Sequence, residues 1–305
     1  MSTPIASWGD DELKLTDRVS VLVGAENGKY PSGNSIVVRG RAETMLIDPS
    51  VCVVDRGGAP VSVDVVVNSH AHEDHVAGNG TFASARVMAH HDDLVGVQSL
   101  DGLLDVFGYE EDELRQENAI KFVEEYHYAP RPDATGFGDG HRFDLGEIAV
   151  EAMHLPGHTR GHSGFYIDGG VFFLSDIDLT GFGPYYGDAW SSLEQFDDSL
   201  QKAREVEADW YVTFHNKGVI EGRAAYIEMI DGFHAVIDKR HCEMLEFLAE
   251  PRTLAEMARR RFVYRPTVEL SFATKVELRT AELHVARMLE RGEATEVEPG
   301  LYKAV

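Results

Sequence analysis

The stretch that decides the fold runs from Val65 to Gly80 and reads VVVNSHAHEDHVAGNG. It begins with an apolar, β-branched run that is followed by polar residues, a pattern typical of a buried strand. We expect this strand to end at Asn68-Ser69. Side chains of the kinds that bind metal ions follow at once: His70, His72, Asp74 and His75. The sequence therefore predicts a buried strand that carries a cluster of ligand-type side chains at its carboxyl end.

The H-x-H-x-D-H spacing of this cluster indicates two adjacent metal ions rather than one. His70 and His72 fall on one side of an extended segment, while Asp74 and His75 turn toward a second point as a helix begins near Val76. The zinc-protease pattern H-E-x-x-H is not met, because His72 and His75 are three residues apart. The alternative is a polar surface loop, which would leave four typical zinc-ligand side chains together by chance.

The cluster resembles the first metal-binding motif of the metallo-β-lactamase superfamily, and the rest of the chain carries matching pieces. A Pro-Gly-His-Thr piece contains His158, a hydrophobic strand over 171–176 ends on Asp176, and a strand over 209–214 leads to His215. Two positions depart from the usual pattern, since Arg160 replaces a proline and Ser175 a glycine. The resemblance implies seven metal ligands: His70, His72, Asp74, His75, His158, Asp176 and His215.

The resemblance also implies how these ligands divide between two divalent ions. One ion takes His70, His72 and His158, the other takes Asp74, His75 and His215, and Asp176 bridges them with a water molecule. Such a centre lowers the pKa of bound water to about 7, so that hydroxide is present at neutral pH. Asp74 is expected to handle the proton as the catalytic residue. We expect zinc first, with iron and manganese as alternatives.

The implied fold is of the α+β class, a four-layer αββα metallo-β-lactamase sandwich with a small C-terminal domain. The expected catalytic domain covers 1–221. From Gly222 the pattern changes to long helices and a final β-hairpin, which indicates a helical, winged-helix-like domain over 222–305. The formal charge also changes, because the chain as a whole carries −24 whereas residues 251–305 carry +2.

Composition and charge indicate where the protein is located in the cell and which partners it binds. The chain has 305 residues and no apolar run of the ~18 residues that a membrane span needs. Its start lacks the features of a secretory signal, and its two cysteines, Cys52 and Cys242, have no ligand-like spacing, so a cytoplasmic location is expected. The strongly negative charge makes nucleic acid an improbable partner, although the near-neutral tail leaves a local contact surface open. A homodimer is compatible with the sequence.

The motifs indicate the reaction class better than the substrate. We expect hydrolysis of a small acyl substrate, a thioester first (as in glyoxalase II) and a lactone or ester second. A ribonuclease or other phosphodiesterase, and an iron-dependent oxidoreductase similar to persulfide dioxygenases, are the alternatives. A non-enzymatic scaffold with a DNA- or partner-binding tail is a third reading, which the complete ligand set opposes.

Four further residues are predicted to contact the substrate: Tyr185, Tyr186, Arg160 and Lys217. Each lies a few residues beyond a ligand-bearing strand end, where loops usually carry binding residues. A tyrosine hydroxyl can donate to a developing oxyanion, and the two cations can pair with a carboxylate or phosphate. The alternative is that all four are solvated loop residues. We also expect a helix and a mobile loop over 110–132 to cover the site, and Asp48 to support the ligands or merely to cap a turn.

Overall fold

The fold was obtained as a computed structural model that describes residues 6–109 and 112–305. Residues 1–5, on which part of the expectation about a secretory signal rests, lie outside the described residues. So do residues 110–111, where the predicted covering segment begins. Among the helices of the described ranges, none combines the length and the apolar character that crossing a membrane requires.

The first sheet has seven strands in the order β1-β2-β3-β4-β5-β6-β7. The pairs from β4 to β7 run parallel and the earlier pairs run antiparallel. Its strands are β1 (Glu12–Lys14), β2 (Val19–Leu22), β3 (Ser35–Arg39), β4 (Thr44–Ile47), β5 (Val65–Asn68), β6 (Arg86–His90) and β7 (Thr135–Phe137).

The second sheet has six strands in the order β13-β12-β11-β10-β9-β8, in which only β11 and β12 pair in parallel. Its strands are β8 (Arg142–Asp144), β9 (Ala149–His154), β10 (Ser163–Ile167), β11 (Val171–Ser175), β12 (Trp210–Thr213) and β13 (Val219–Glu221).

The two sheets pack face to face, and helices cover both outer faces. Val65 and Val67 of β5 join the core between the sheets, whereas Val66 points into the core under the helices on the outer side. Because side chains alternate across a strand, a strand buried on both faces reads as one continuous apolar run. The predicted four-layer αββα sandwich is confirmed.

The helices that form the outer layers and the tail are mostly short. They are α1 (Ala25–Gly28), α2 (Val51–Asp55), α3 (Leu94–Gln98), α4 (Leu100–Phe107), α5 (Asp112–Glu124), α6 (Leu193–Arg204), α7 (Arg223–Phe247), α8 (Leu254–Arg260) and α9 (Ala273–Arg291). The helix predicted after the histidine cluster is a 3-10 helix over Ala77–Phe82.

The C-terminal part is helical and carries a small three-stranded sheet. After α7 come β14 (Arg252–Thr253), α8, α9 and a hairpin of β15 (Ala294–Glu298) and β16 (Leu301–Ala304), with β16 in the middle of the sheet. Thr253 and Glu256 form a capping box that starts α8, and Gly292 ends α9 with a φ of 68°. The helices and the final hairpin agree with the expectation from the sequence, and the winged-helix-like character stays a prediction.

Helix α7 belongs to both parts of the molecule. Its first half packs into the core on the outer face of the second sheet, through Tyr226, Phe233 and Ile237. Met244, near its end, packs instead with Val285 and other residues of the tail. The domain boundary predicted at 221/222 falls just before α7, whereas the hydrophobic packing changes partway along that helix.

Candidate metal centre

The structure brings the seven predicted ligands together at one edge of the sandwich. The first four follow the carboxyl end of β5, and His158 lies in the loop between β9 and β10. Asp176 directly follows β11, and His215 comes two residues after β12. Because β11 and β12 are parallel neighbours, their carboxyl ends deliver these two side chains to the same place. Six of the seven are buried, and the Asp176 side chain keeps 14% exposure.

Four of the side chains form a first cluster, made of His70, His72, His158 and Asp176. His158 Nε2 lies 3.0 Å from His72 Nδ1 and 3.3 Å from Asp176 Oδ2. His70 Nε2 lies 3.9 Å from the same Asp176 oxygen. These atoms are spaced as donors around one small ion are, because ligands at about 2.0–2.2 Å from zinc lie roughly 3–4 Å from one another.

Asp74, His75 and His215 form a second cluster. His215 Nε2 lies 3.0 Å from Asp74 Oδ2, and His75 Nε2 lies 3.1 Å from Asp176 Oδ1. Asp176 thus presents one carboxylate oxygen to each cluster, which is the geometry of a bridging ligand. The division of the seven side chains matches the one that the sequence resemblance implied.

Unsatisfied polar atoms show that these residues fit bound cations. Among the described residues, eight buried side-chain nitrogen and oxygen atoms make no hydrogen bond, and six of them lie in or beside the two clusters: His70 Nε2, His72 Nε2, Asp74 Oδ2, His75 Nε2, Asp176 Oδ1 and Asp188 Oδ2. Buried polar atoms without partners are costly, so such a concentration requires an explanation. Two divalent cations explain the four atoms that belong to His70, Asp74, His75 and Asp176, because nitrogen and carboxylate donors of this kind bind them directly. His72 Nε2 and Asp188 Oδ2 instead face each other at 3.4 Å.

Three of the ligand histidines are held by a contact to their Nδ1 atom. The Nδ1 atoms of His158 and His215 donate to the carbonyl oxygens of Tyr185 and Gly28, at 2.9 and 2.8 Å. His75 Nδ1 lies 2.9 Å from Asp48 Oδ2. Such contacts select the tautomer that leaves Nε2 for a metal ion. Asp48 does more than cap a turn, since it also accepts hydrogen bonds from the backbone amide and the hydroxyl of Ser69.

The match to a family model decides the identity of the fold. The model that describes the metallo-beta-lactamase superfamily matches residues 29–215, which include all seven clustered side chains. The chain belongs to the metallo-β-lactamase superfamily.

Relatives support this assignment at different levels. A hydroxyacylglutathione hydrolase from Xanthomonas euvesicatoria pv. vesicatoria (strain 85-10) is 27% identical over 111 residues, which cover 36% of this chain and 42% of that protein. The chain therefore aligns with less than half of that curated relative.

Two solved structures share the fold over almost the whole chain. A metallo-beta-lactamase family protein from Thermus thermophilus has a TM-score of 0.72 at 19% identity, covering 96% of this chain and 100% of the other. A beta-lactamase domain protein from Burkholderia ambifaria has a TM-score of 0.69 at 16% identity, with 99% and 95% coverage. Because both matches cover almost the whole chain, the shared fold extends beyond the sandwich.

Asp188 is a functional candidate that the sequence motifs did not reveal. It is buried, and its Oδ2 lies 3.4 Å from His72 Nε2, the ring nitrogen that faces away from the first cluster. Its Oδ1 accepts a hydrogen bond of 3.3 Å from the Tyr185 hydroxyl. Burial raises the pKa of Asp188 to about 6. Its place in a glycine- and tyrosine-rich loop gave no ligand-type spacing that could have indicated this role.

We expect Asp188→Asn to weaken metal binding at the first cluster by about 10- to 100-fold, the usual effect of losing a carboxylate behind a ligand histidine. The second cluster should keep its affinity. Zinc titration against a competing chelator measures both affinities, and Asp198→Asn, an exposed change on α6, serves as the control. Equal weakening of both sites, or of neither, would contradict the contact to His72.

Two further acidic residues lie at this site, and the sequence motifs did not indicate a role for either of them. Glu73, inside the H-x-H-x-D-H motif, is buried and accepts a 2.8 Å hydrogen bond from the Tyr30 hydroxyl. Its burial, with the nearby charge of Asp74, raises its pKa to about 8. Asp93 is buried and accepts hydrogen bonds from Ala71 N, Gly161 N and the Thr159 hydroxyl, so it joins the two ligand-bearing loops.

Three histidines outside the ligand set pack or form hydrogen bonds within the fold. His90 is the buried last residue of β6, and its ring stacks on that of His154 at 4.0 Å. His154 is the last residue of β9. His162 is buried and donates from Nδ1 to the carbonyl oxygen of Leu155 at 2.9 Å.

A cavity of about 320 Å³ opens directly onto the two clusters. The four predicted substrate contacts differ in whether they line this cavity. Tyr185 lines this cavity, and so do α5 residues from the segment that was expected to cover the site. Tyr186 does not line it. Arg160 is exposed and places its guanidinium 4.3 Å from the Trp190 ring centre, and Lys217 is exposed outside the cavity lining.

Tyr186 is instead part of a buried polar chain that connects the loop after β11 to the tail. Its hydroxyl donates to His284 Nε2 at 2.9 Å, His284 Nδ1 lies 3.1 Å from His241 Nδ1, and His241 Nε2 donates to Glu293 Oε2 at 2.8 Å. The side chain is only 1% exposed. Its position supports a structural role rather than contact with a substrate.

Tyr186→Phe should therefore lower the free energy of unfolding by about 1–3 kcal/mol, because it leaves Nε2 of His284 buried without this hydrogen bond. Its effect on kcat/KM should stay below about twofold. Tyr185→Phe is the matched change on the cavity side, and we expect it to reduce kcat/KM. Chemical denaturation and steady-state kinetics measure the two effects, and the reverse pattern would restore Tyr186 as a substrate contact.

Proposed function

We propose that this protein is a dinuclear metal-dependent hydrolase that acts on a small acyl substrate, with thioesters first and lactones or other esters second. The observation that carries the proposal is the pair of clusters that share Asp176, each cluster receiving one of its oxygens. Zinc is the proposed ion, with iron and manganese as alternatives, because histidine and carboxylate donors suit all three.

Two divalent ions at these clusters would supply acidity to water and polarise a substrate carbonyl. The side chains do the rest. Asp74 lines the cavity and is the proposed proton acceptor. The net reaction adds water across the acyl bond: oxygen bonds to the carbonyl carbon, the C–S or C–O bond breaks, and a proton goes to the leaving thiol or alcohol.

We propose that Tyr185 orients the substrate. It lines the cavity, and its backbone carbonyl oxygen accepts the hydrogen bond of His158 Nδ1. Tyr185 therefore connects the cavity, which its side chain lines, to the metal centre, because its carbonyl oxygen holds the ligand His158. A donor near a developing oxyanion contributes to catalysis through electrostatic stabilisation.

The tail argues against the nucleic-acid alternative. Three of the four basic side chains of α9 contact the catalytic part of the chain: Arg287 pairs with Glu194 and Asp197, Arg279 donates to Ser191 O at 3.2 Å, and Lys275 donates to Gly108 O at 2.9 Å. A helix that reads nucleic acid must present its cations to phosphates and bases. With these cations already paired, we propose a role in substrate access for the tail.

The test is a panel of thioesters, lactones, simple esters, a β-lactam and a phosphodiester. The protein is purified without chelator, stripped, and reloaded with zinc, manganese or iron. We expect metal-dependent turnover of the acyl substrates, led by a thioester. Turnover of the phosphodiester alone, or acyl turnover that survives removal of the metal, would contradict the proposal.

A further inference from the structure

The walls of the cavity above the metal clusters differ chemically from its floor. The floor consists of predicted ligands, including His72, His158 and His215. The walls are largely aromatic or aliphatic, and their main apolar members are Phe107, Phe122, Phe182, Tyr264, Leu270 and Phe272. A cavity with an apolar wall and a few converging polar groups is the usual form of a small-molecule site.

The apolar wall begins at the ligands themselves and continues into the tail. The ring of Phe107 stacks on His72 with centres 4.7 Å apart and planes 21° apart. On the opposite segment, Phe182 packs against Tyr264 at 5.6 Å, and Tyr264 packs against Phe272 at 6.3 Å. The catalytic part and the tail therefore build one continuous surface, which starts at the proposed reaction centre.

Part of this surface remains open to solvent. Phe182 is 39% exposed and Leu270 is 42% exposed, and both line the cavity. Exposed apolar area costs about 25 cal/mol per Å² relative to burial, so covering these side chains favours binding. A concave apolar surface of this kind indicates a ligand that brings apolar area of its own.

The charges of the lining disfavour an anionic substituent. No arginine is among the described lining residues, although arginine provides the usual paired contact to a carboxylate or phosphate. Two lysines line the cavity, and both contact other groups of the protein. Lys275 donates to the carbonyl oxygen of Gly108 at 2.9 Å, and the Lys121 ammonium lies 5.7 Å from the Tyr126 ring centre. Acidic side chains of the lining, including Asp178 and Asp188, outnumber these two lysines.

We propose that the cavity binds a neutral, apolar acyl group, alkyl or aryl, with its carbonyl carbon at the metal clusters. The proposal rests on the proposed hydrolase function and narrows its substrate class to thioesters, esters or lactones with an uncharged hydrophobic acyl part. A volume of about 320 Å³ lies at the lower end of the range for ligand sites and suits one chain or one ring rather than a polymer.

The test is a series of straight-chain acyl esters and thioesters, from acetyl to decanoyl, on one uncharged leaving group. We expect kcat/KM to rise about fourfold per methylene, equivalent to about 0.8 kcal/mol, until the cavity is filled. A matched succinyl substrate, which ends in a carboxylate, should be slower than the butyryl substrate. A flat series, or a preference for the succinyl substrate, would overturn the proposal and leave the hydrolase function standing.

Two leucines provide matched variants. Leu270→Ala changes the cavity wall, whereas Leu289→Ala changes a leucine of similar exposure, 40%, that does not line the cavity. We expect Leu270→Ala to reduce the decanoyl-to-acetyl ratio of kcat/KM about fivefold and Leu289→Ala to leave it unchanged. Equal effects from both variants would overturn the assignment of the wall.

Binding of unreactive methyl ketones separates this inference from the proposed function. Calorimetry should show tighter binding of 2-nonanone than of acetone to the metal-loaded protein, and Leu270→Ala should reduce the difference. If the ketones behave in this way but no acyl substrate is hydrolysed, the acyl pocket stands and the hydrolase function falls. If ketone affinity does not depend on chain length, the pocket assignment falls.

Discussion

Asp176→Ala should leave the protein with at most one firmly bound metal ion and reduce hydrolysis at least about a thousandfold. Asp176 Oδ2 faces the first cluster and Oδ1 faces the second, so the substitution removes a donor from both at once. Loss of a single donor to developing charge costs 10²- to 10³-fold in other enzymes, and the metal centre provides more than one such interaction.

Elemental analysis of zinc-loaded protein, combined with kinetics on the best acyl substrate, measures both effects. Asp238→Ala, which removes an exposed carboxylate from α7, is the control and should keep two ions and full activity. Two tightly held ions in Asp176→Ala would show that this carboxylate does not bridge them. Retained metal with lost activity would assign it a purely catalytic role.

Asp48→Ala should lower the free energy of unfolding by about 3–5 kcal/mol, the usual cost of breaking a buried charged pair. The carboxylate is fully buried and holds His75 Nδ1 together with the amide and hydroxyl of Ser69. The change leaves all three donors without their acceptor. It should also weaken the second cluster for metal by about 10- to 100-fold, because His75 loses the contact that orients its ring.

Chemical denaturation of the metal-free protein isolates the stability effect, and zinc titration against a chelator gives the affinity. Asp55→Ala, an exposed aspartate on α2, is the comparison and should change neither quantity by more than about 0.5 kcal/mol. An Asp48→Ala protein as stable as the Asp55→Ala protein would mean that water replaces the carboxylate without cost.

The sandwich and the two-cluster division were predicted through the resemblance to a family, and that resemblance rested on local patterns. Strands buried on both faces read as apolar runs, as in β5 and β11, and the ligand-type residues follow those runs directly. The helical character of the tail was also predictable, since α9 has an apolar face and a stop at Gly292.

Other parts of the site depend on long-range contacts that no local pattern encodes. Asp188 meets His72 across 116 positions of sequence, and nothing around it distinguishes a buried carboxylate from a loop residue. Tyr185 and Tyr186 are neighbours with the same side chain, yet one lines the cavity and the other packs against His284. Their opposite environments follow from the backbone path of one loop and from the position of the tail.

The course of α7 sets where this protein can be recombined with its relatives. A chimera joined at residue 222 would exchange Tyr226, Ile230, Phe233 and Ile237 together with the tail. It would thereby replace the part of the covering of the second sheet that α7 supplies, while the part from α6 stays native. A junction placed after Ile237 would keep that face with its native covering and transfer only the residues that pack around Met244 and Val285. Exchange of the tail between relatives is therefore available to this scaffold only through a crossover inside a continuous helix, where the register of 3.6 residues per turn must be preserved.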